Sequence, residues 1–513
     1  MASFGRVLVV GAAGSVGRQL VDMLPSRGWS VRAVDRPGAW SGPPREGTAL
    51  EVLAGDIRSE AFLGEVMADV QAVVWASDAA QDAETARAVN AEAAEACYLA
   101  ARRAGVQVFV YVSCGLVYGR SGKPLAEGTR PAPSSAYARS KWEGERALRE
   151  ALARSGTALV VLRTGPVFGP GARGVGGLVA AAAVLGHALF GGRFRFRGGP
   201  VWTWSHAGDV ARAAFHAIRS QGLWGGTFNV VSGGPISLGR VLGLASEGYA
   251  GRPRRGLPLV LPTSRLFRWL RAVGTERLSR EAGPLLAWVW SFLGREAERH
   301  LVPEPGPGLW DLLGRELVLD GTALERKGFL SEHTDPARSW RQVMNWYVRQ
   351  GWLPSPAATG PSPSLVASEL SLRGEHAPVG QPAASEPLNA HLRFHWQGGR
   401  DFLTRWTLGV DGSFFLQGLA EHVSCWGDLE LQPWRRKVIL ELHLRLEGTR
   451  EGFLRLHGLL DKESLLRGLE LSGGLFEEGG RMLRTVRARL GLPERLAGLV
   501  PSVLVTRRVP TPG

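Results

Sequence analysis

The sequence predicts an α/β protein: a doubly wound parallel sheet with a smaller substrate lobe, followed by a linker and a small β-rich C-terminal domain. Three observations predict it. Over the first 165 residues, short β-branched runs alternate with segments whose apolar residues recur at helical spacing. A glycine-spaced turn follows the first run. Beyond a stretch rich in Pro, Ser, Ala and Gly, the pattern changes to strict alternation, as in a sheet wet on one face.

The strand-like runs are Arg6–Val10, Ser30–Val34, Ala72–Ala76, Val108–Val112 and Ala158–Leu162, with Val16–Leu24 and Glu84–Ala104 reading as helices between them. Parallel neighbours need crossover connections, so this repetition predicts a parallel sheet with helices on both faces. From 166 to 350 the pattern loosens into glycine-rich loops and helices, a substrate-side lobe closed by an amphipathic helix at Arg338–Gln350. Residues 1–353 thus read as one domain. Residues 354–389 carry too few large apolar side chains to offset their ordering entropy and read as a flexible linker. In 390–513, Leu440, Leu442, Leu444 and Leu446 alternate with Glu441, His443, Arg445 and Glu447, and Asp411-Gly412 reads as a turn.

Composition narrows the function classes. The 513 residues are 44% hydrophobic and 21% charged, which excludes a disordered or fibrous chain. Lys and Arg number 61 against 47 Asp and Glu, a net charge of +14. Within 257–294 arginines alternate with Leu, Trp and Phe. That pattern suits a solvated helix face or a peripheral contact with anionic lipid better than a nucleic-acid stripe, and no nucleic-acid partner is expected. Cys97, Cys114 and Cys425 lie far apart, with no CxxC pair and no histidine at ligand spacing. Neither a disulfide framework nor a metal site is expected, and a reducing compartment fits. The N-terminus has no signal-peptide pattern, and Gly174–Gly192 is too rich in Gly and Ala to read as a membrane span. A cytoplasmic location is expected, with peripheral membrane association the alternative that 257–294 raises.

Gly11-Ala-Ala-Gly14-Ser15-Val16-Gly17 follows the first strand and opens a helix. Gly11 permits the tight turn, Gly14 lets a pyrophosphate approach the backbone, and Gly17 lets the helix pack on the strand. The helix N-terminus offers N–H groups and a favourable dipole to the anion. This is the dinucleotide-binding pattern of a Rossmann-type sheet. The second strand ends at Asp35, whose carboxylate suits the adenosine ribose hydroxyls and repels a 2′-phosphate. That points to NAD, while Arg36 next door keeps NADP open. Asp56, in Gly55-Asp56-Ile57 after the third strand, is placed to reach the adenine edge.

Tyr137-Ala-Arg-Ser-Lys141 sets a phenol and an ammonium four residues apart, on one face of a helix. A phenol is a poor base at neutral pH. A cation one turn away is expected to lower its pKa and also to hold the nicotinamide ribose, giving a usable proton donor or acceptor.

With these pieces in order, the chain resembles the extended short-chain dehydrogenase/reductase family, which includes NAD-dependent nucleotide-sugar epimerases and dehydratases and 3β-hydroxysteroid dehydrogenases. The matching segments are GAAGSVG (11–17), GDI (55–57), Asn90, VFVYVSCGLVYG (108–119), YARSK (137–141), RTGPVFGPG (163–171) and SHAGDVARA (205–213). The resemblance implies Tyr137 as general acid/base, Lys141 as the group that tunes it, and a Ser or Thr hydrogen-bonding the reacting oxygen. That last position falls on Cys114, with Ser113 just before it. A thiol is a weaker donor than a hydroxyl. Either Ser113 substitutes, or Cys114 serves less efficiently, or the fold is kept for binding alone; the intact Tyr137/Lys141 pair points to catalysis.

Family members that act on nucleotide sugars often carry an Arg before the His-x-x-Asp-like motif, where it binds the substrate diphosphate. Val201-Trp202-Thr203-Trp204-Ser205-His206 has none. Trp202, Trp204 and Phe168 suit a flat apolar substrate instead. The expected reaction is hydride transfer on a hydroxyl or ketone of a hydrophobic, steroid-like or lipid small molecule. A nucleotide-sugar epimerase or dehydratase is the alternative, as is an NAD-binding sensor without turnover. A homodimer is expected from the family.

Overall fold

The computed structural model describes residues 5–40, 49–79, 82–119, 123–152, 156–190, 194–251, 257–261, 307–356, 368–396, 406–416, 420–432, 437–446, 450–459, 469–477 and 481–490. The chain divides into two compact units, the C-terminal one opening at Pro354.

In the first unit, seven strands form one parallel sheet: β1 (Arg6–Val10), β2 (Ser30–Asp35), β3 (Leu50–Ala54), β4 (Ala72–Trp75), β5 (Val108–Cys114), β6 (Ala158–Thr164) and β7 (Thr227–Val230). Their order is β7-β6-β5-β4-β1-β2-β3, so the winding reverses between β1 and β4. Helices cover both faces, which is why the central strands read as unbroken apolar runs: Val7, Leu8, Val9 and Val10 are all fully buried, as are Val73 and Val74. Burying each such side chain stabilises the fold by about 1.5–3 kcal/mol. The five sequence-predicted strands are all present. Edge strand β3 has no fully buried residue, its positions being half-buried or exposed, and β7 lies beyond the 165 residues that carried the alternation.

Helix α1 (Ser15–Met23) follows the glycine turn, and α2 (Ala136–Leu152) carries the Tyr/Lys pair. The helix expected over Glu84–Ala104 is interrupted. Ala88–Ala93 forms a π-helical turn around the fully buried Asn90, the kind of wide turn that gathers at functional sites. The lobe is closed by α3 (Pro336–Arg349), capped by Asp335, whose side chain accepts from the Ala337 and Arg338 N–H groups.

The C-terminal unit holds a closed eight-stranded antiparallel barrel: β8 (Ser368–Pro378), β9 (Glu386–Trp396), β10 (Trp406–Leu416), β11 (Ala420–Gln432), β12 (Lys437–Leu446), β13 (Arg450–Leu459), β14 (Leu469–Glu477) and β15 (Met482–Leu490). The last strand pairs with the first, Leu490 opposite Leu372. Closure removes the exposed edges that an open sheet would present. Leu440, Leu442 and Leu444 of the alternating pattern, with Leu392, Leu454 and Leu475, belong to the buried lining. Two expectations are corrected here. The predicted linker contains all of β8 and the start of β9, because a strand with one wet face needs few apolar residues. Asp411-Gly412 lies inside β10, not in a turn. A Cβ on Gly412 would sit 2.1 Å from the His391 carbonyl oxygen, so the glycine permits the close strand approach there.

The basic segment 257–294 lies outside the described residues beyond Leu261, where a short strand, Leu257–Leu261, ends. Among the described residues no helix is long and apolar enough to cross a membrane.

Candidate active site

The crevice where the winding reverses collects the ends of β1, β4 and β5. Gly11 has φ +80°, and a Cβ there would lie 2.5 Å from the Ser77 backbone nitrogen; one on Gly17 would lie 2.2 Å from the Gly11 carbonyl oxygen. Both positions require glycine. Gly14 meets only the Gly11 oxygen nearby and is exposed, so its backbone is open to a ligand. No side chain caps α1, whose first residue is Ser15; Val16 is buried, so it offers only backbone. Gly171 arches over this loop, a Cβ there lying 3.9 Å from the Ser15 Cα. Burial and the nearby Arg173 guanidinium lower the Arg18 pKa, against the pull of Asp22 and Asp35. Two cations crowded at an uncapped helix N-terminus suit a diphosphate.

Asp35 ends β2 with both oxygens engaged, accepting from Ala13 N–H at 2.9 Å and from Arg36 N–H at 2.8 Å. It lines a cavity of about 220 Å³ with Ala12, Arg36, Gly38, Trp40 and Ala54. Trp40, missed in the sequence, adds an aromatic wall, with the Arg18 guanidinium 5.5 Å from its ring centre. Asp56 does not line this cavity. Its half-exposed carboxylate pairs with Arg58 at 2.7 Å, and Ile57 packs on the core.

On the chemical side, α2 turns Tyr137, Lys141 and Glu145 toward the sheet at successive i, i+4 steps. Lys141 is 3% exposed; its ammonium bonds the Ser77 carbonyl at 3.4 Å and the Val112 carbonyl at 3.3 Å. It also pairs with Asp78 at 3.1 Å. The Tyr137 hydroxyl donates to the other Asp78 oxygen at 3.1 Å. Asn90 fixes this arrangement, bonding Ala79 through both backbone groups and Ser140 of α2 through its amide. Asp78 went unnoticed in the sequence, where a lone acid after a strand carries no signal.

Ser113 and Cys114 separate. The Ser113 hydroxyl donates to the buried Glu145 at 2.6 Å, where Arg163 and Arg149 also bind, so it belongs to an internal ion network. It is not available to substitute for Cys114. Cys114 is buried. Burial pushes its thiol up to about 12, against the opposing pull of Lys141, so it stays protonated. The expected lowering of the Tyr137 pKa is also corrected: burial first, then the Asp78 carboxylate, hold it well above the usual phenol value.

Phe168, Trp202 and Trp204 are 2%, 0% and 2% exposed. They pack on one another and on Trp340, Phe168 stacking on it at 4.9 Å. These residues close the lobe and leave no surface for a substrate, so their expected role is corrected. Among the described residues no cluster could hold a metal ion.

These features define a dinucleotide-fold protein of the extended short-chain dehydrogenase/reductase type. Residues 7–230 match the model of the NAD dependent epimerase/dehydratase family. An uncharacterised Sinorhizobium fredii protein is 27% identical over 44% of the chain, which spans only 55% of that relative's length. The dTDP-4-dehydrorhamnose reductase of Streptomyces griseus is 28% identical over 59% of this chain and 97% of its own. A 3 beta-hydroxysteroid dehydrogenase/Delta 5-->4-isomerase of Mycobacterium tuberculosis is 32% identical over 33% of this chain and 48% of its own. Among solved structures, Bordetella bronchiseptica WbmH in complex with NAD+ matches with TM-score 0.50 and 20% identity, over 68% of this chain and all of that one, a likeness of fold.

Proposed function

We infer that the protein is an NAD-dependent oxidoreductase acting on a hydroxyl or ketone carbon. One observation carries this reading. Gly11 packs against Ser77, the Ser77 carbonyl accepts from Lys141, and Tyr137 stands one helical turn away, so the glycine crevice and the proton-transfer pair are continuous. The uncapped α1 terminus and the Arg18/Arg173 pair hold the diphosphate, and Asp35 selects NAD over NADP by charge. The nicotinamide, when bound, supplies or accepts hydride at the reacting carbon. Tyr137 gives or takes the proton on the substrate oxygen, Lys141 orients the ribose, and Cys114 offers that oxygen a weak hydrogen bond.

The substrate in this reading is hydrophobic, steroid- or lipid-like. Its support is the absence of Arg from 201–206 and the steroid dehydrogenase relative, since the three aromatics no longer contribute. A nucleotide-sugar ketone is the second reading, favoured by the reductase matched along almost its full length. Nicotinamide absorbance, followed with sterol and nucleotide-sugar ketones and alcohols, tests both. Turnover lost in Tyr137→Phe supports the oxidoreductase. Cofactor binding without turnover on any of these, in wild type and in Cys114→Ser alike, refutes it in favour of a sensor.

A further inference from the structure

The sequence places Lys141 beside Tyr137 with nothing between them. In the fold a carboxylate spans the two: Asp78 accepts from the Tyr137 hydroxyl through Oδ2 and pairs with the Lys141 ammonium through Oδ1, each at 3.1 Å. The loop bearing it is pinned on both sides, by Asn90 at Ala79 and by Gly11 against Ser77. We propose that Asp78 is a positioning residue that holds Tyr137 in its protonated form, setting the pair to give a proton to a carbonyl oxygen rather than to take one from a hydroxyl. The inference rests on the oxidoreductase reading and deepens it by assigning a direction, reduction of a ketone.

The physical argument begins with the hydrogen bond. Tyr137 donates to Asp78 only while it keeps its proton; a phenolate would face a carboxylate at the same separation, and like charges disfavour ionisation. The Lys141 charge, which would favour phenolate, is engaged by the same carboxylate. From β5, Cys114 and Tyr111 face the phenol as protonated, neutral groups, and neither brings a cation that would favour phenolate. The charged group hydrogen-bonded to the hydroxyl is therefore the Asp78 carboxylate, and it favours the donor form. Asp78 has its side chain 50% exposed. After Tyr137 has given its proton to the substrate oxygen, a proton from water reaches the phenolate through that carboxylate.

Incorporating 3-fluorotyrosine makes the phenols more acidic and lets 19F NMR follow each of the six tyrosines across the pH range in which the protein stays folded. The Tyr137 resonance is the one missing in Tyr137→Phe. Asp78→Asn is expected to move its midpoint down by about one pH unit, tenfold in the ionisation constant. Asp78→Ala should do the same, which separates loss of charge from any bond the asparagine makes, and unmoved resonances of the other tyrosines certify the fold. A Tyr137 midpoint that is unchanged or raised in both variants overturns the proposal. In turnover, the ratio of reductive to oxidative rate at neutral pH should fall about tenfold in Asp78→Asn, with the alkaline limb of the oxidative profile moving to lower pH by the same interval. Wild-type protein inactive on every ketone and alcohol refutes the oxidoreductase reading, while the titration still decides the role of Asp78.

Discussion

Tyr137 is the residue on which the chemistry turns, and its surroundings make two substitutions informative. Tyr137→Phe removes the proton donor without disturbing the glycine loop. It should lower kcat by about 10²–10⁴-fold and leave NAD affinity, measured by calorimetry, unchanged. Cys114→Ser replaces a weak donor with a stronger one in the same buried position. A gain of about 1 kcal/mol in transition-state hydrogen bonding should raise kcat several-fold; an unchanged kcat would remove Cys114 from contact with the reacting oxygen. Neither effect is open to Ser113, whose hydroxyl is committed to Glu145.

At the scale of elements, Glu145 ties α2 to the sheet. Its carboxylate is fully buried and receives Ser113 from β5, Arg163 from β6 and Arg149 from its own helix, Arg163 through two nitrogens. Truncating one member of a buried ionic group leaves the others uncompensated. Glu145→Ala should therefore destabilise the fold by about 3–5 kcal/mol in chemical denaturation. Because α2 also carries Tyr137 and Lys141, the same variant should lose activity before it unfolds. In the barrel, Leu442 is fully buried among the lining leucines. Leu442→Ala should cost about 2–5 kcal/mol, read by unfolding, with NAD binding by the first unit intact.

For the whole molecule, acid is the informative perturbation. His206 is buried, stacked on His333 at 3.5 Å, with its Nδ1 accepting from the Gly208 N–H. Burial, and then the neighbouring His333, depress its pKa to about 3, against the pull of Asp209. The unfolded chain protonates this ring near its ordinary value, so it binds the proton first. Stability is then lost as pH falls from about 6.5 toward 3. Asp209 acts lower down. Burial opposes its ionisation, but hydrogen bonds from His333, Ser232 and the Glu332 N–H outweigh it and bring its pKa to about 2. Its contribution is present above the unfolded value and lost as pH drops through the folded one. Denaturation midpoints measured across pH should fall along both windows, and His206→Gln should flatten the upper one while leaving the lower. An upper limb of the same slope in that variant would remove His206 from the acid response.

The local code was readable because it is local. Parallel strands covered on both faces must be apolar runs, a tight pyrophosphate turn must be glycine, and a pair four apart on a helix must share a face. Hence the sheet, the Gly11–Gly17 loop, Asp35 and the Tyr137/Lys141 pair were all legible in one dimension. What depended on distant partners was not. An aromatic in a core and one lining a pocket have the same letter, so Trp202, Trp204 and Phe168 passed as substrate residues until Trp340, far along the chain, was seen stacked against them. Half-wet strands look like a linker until their partners close a barrel around their buried side. Asp78 lies 59 residues before Tyr137, and only the folded crevice brings its charge to the phenol, where it reverses the effect expected of Lys141.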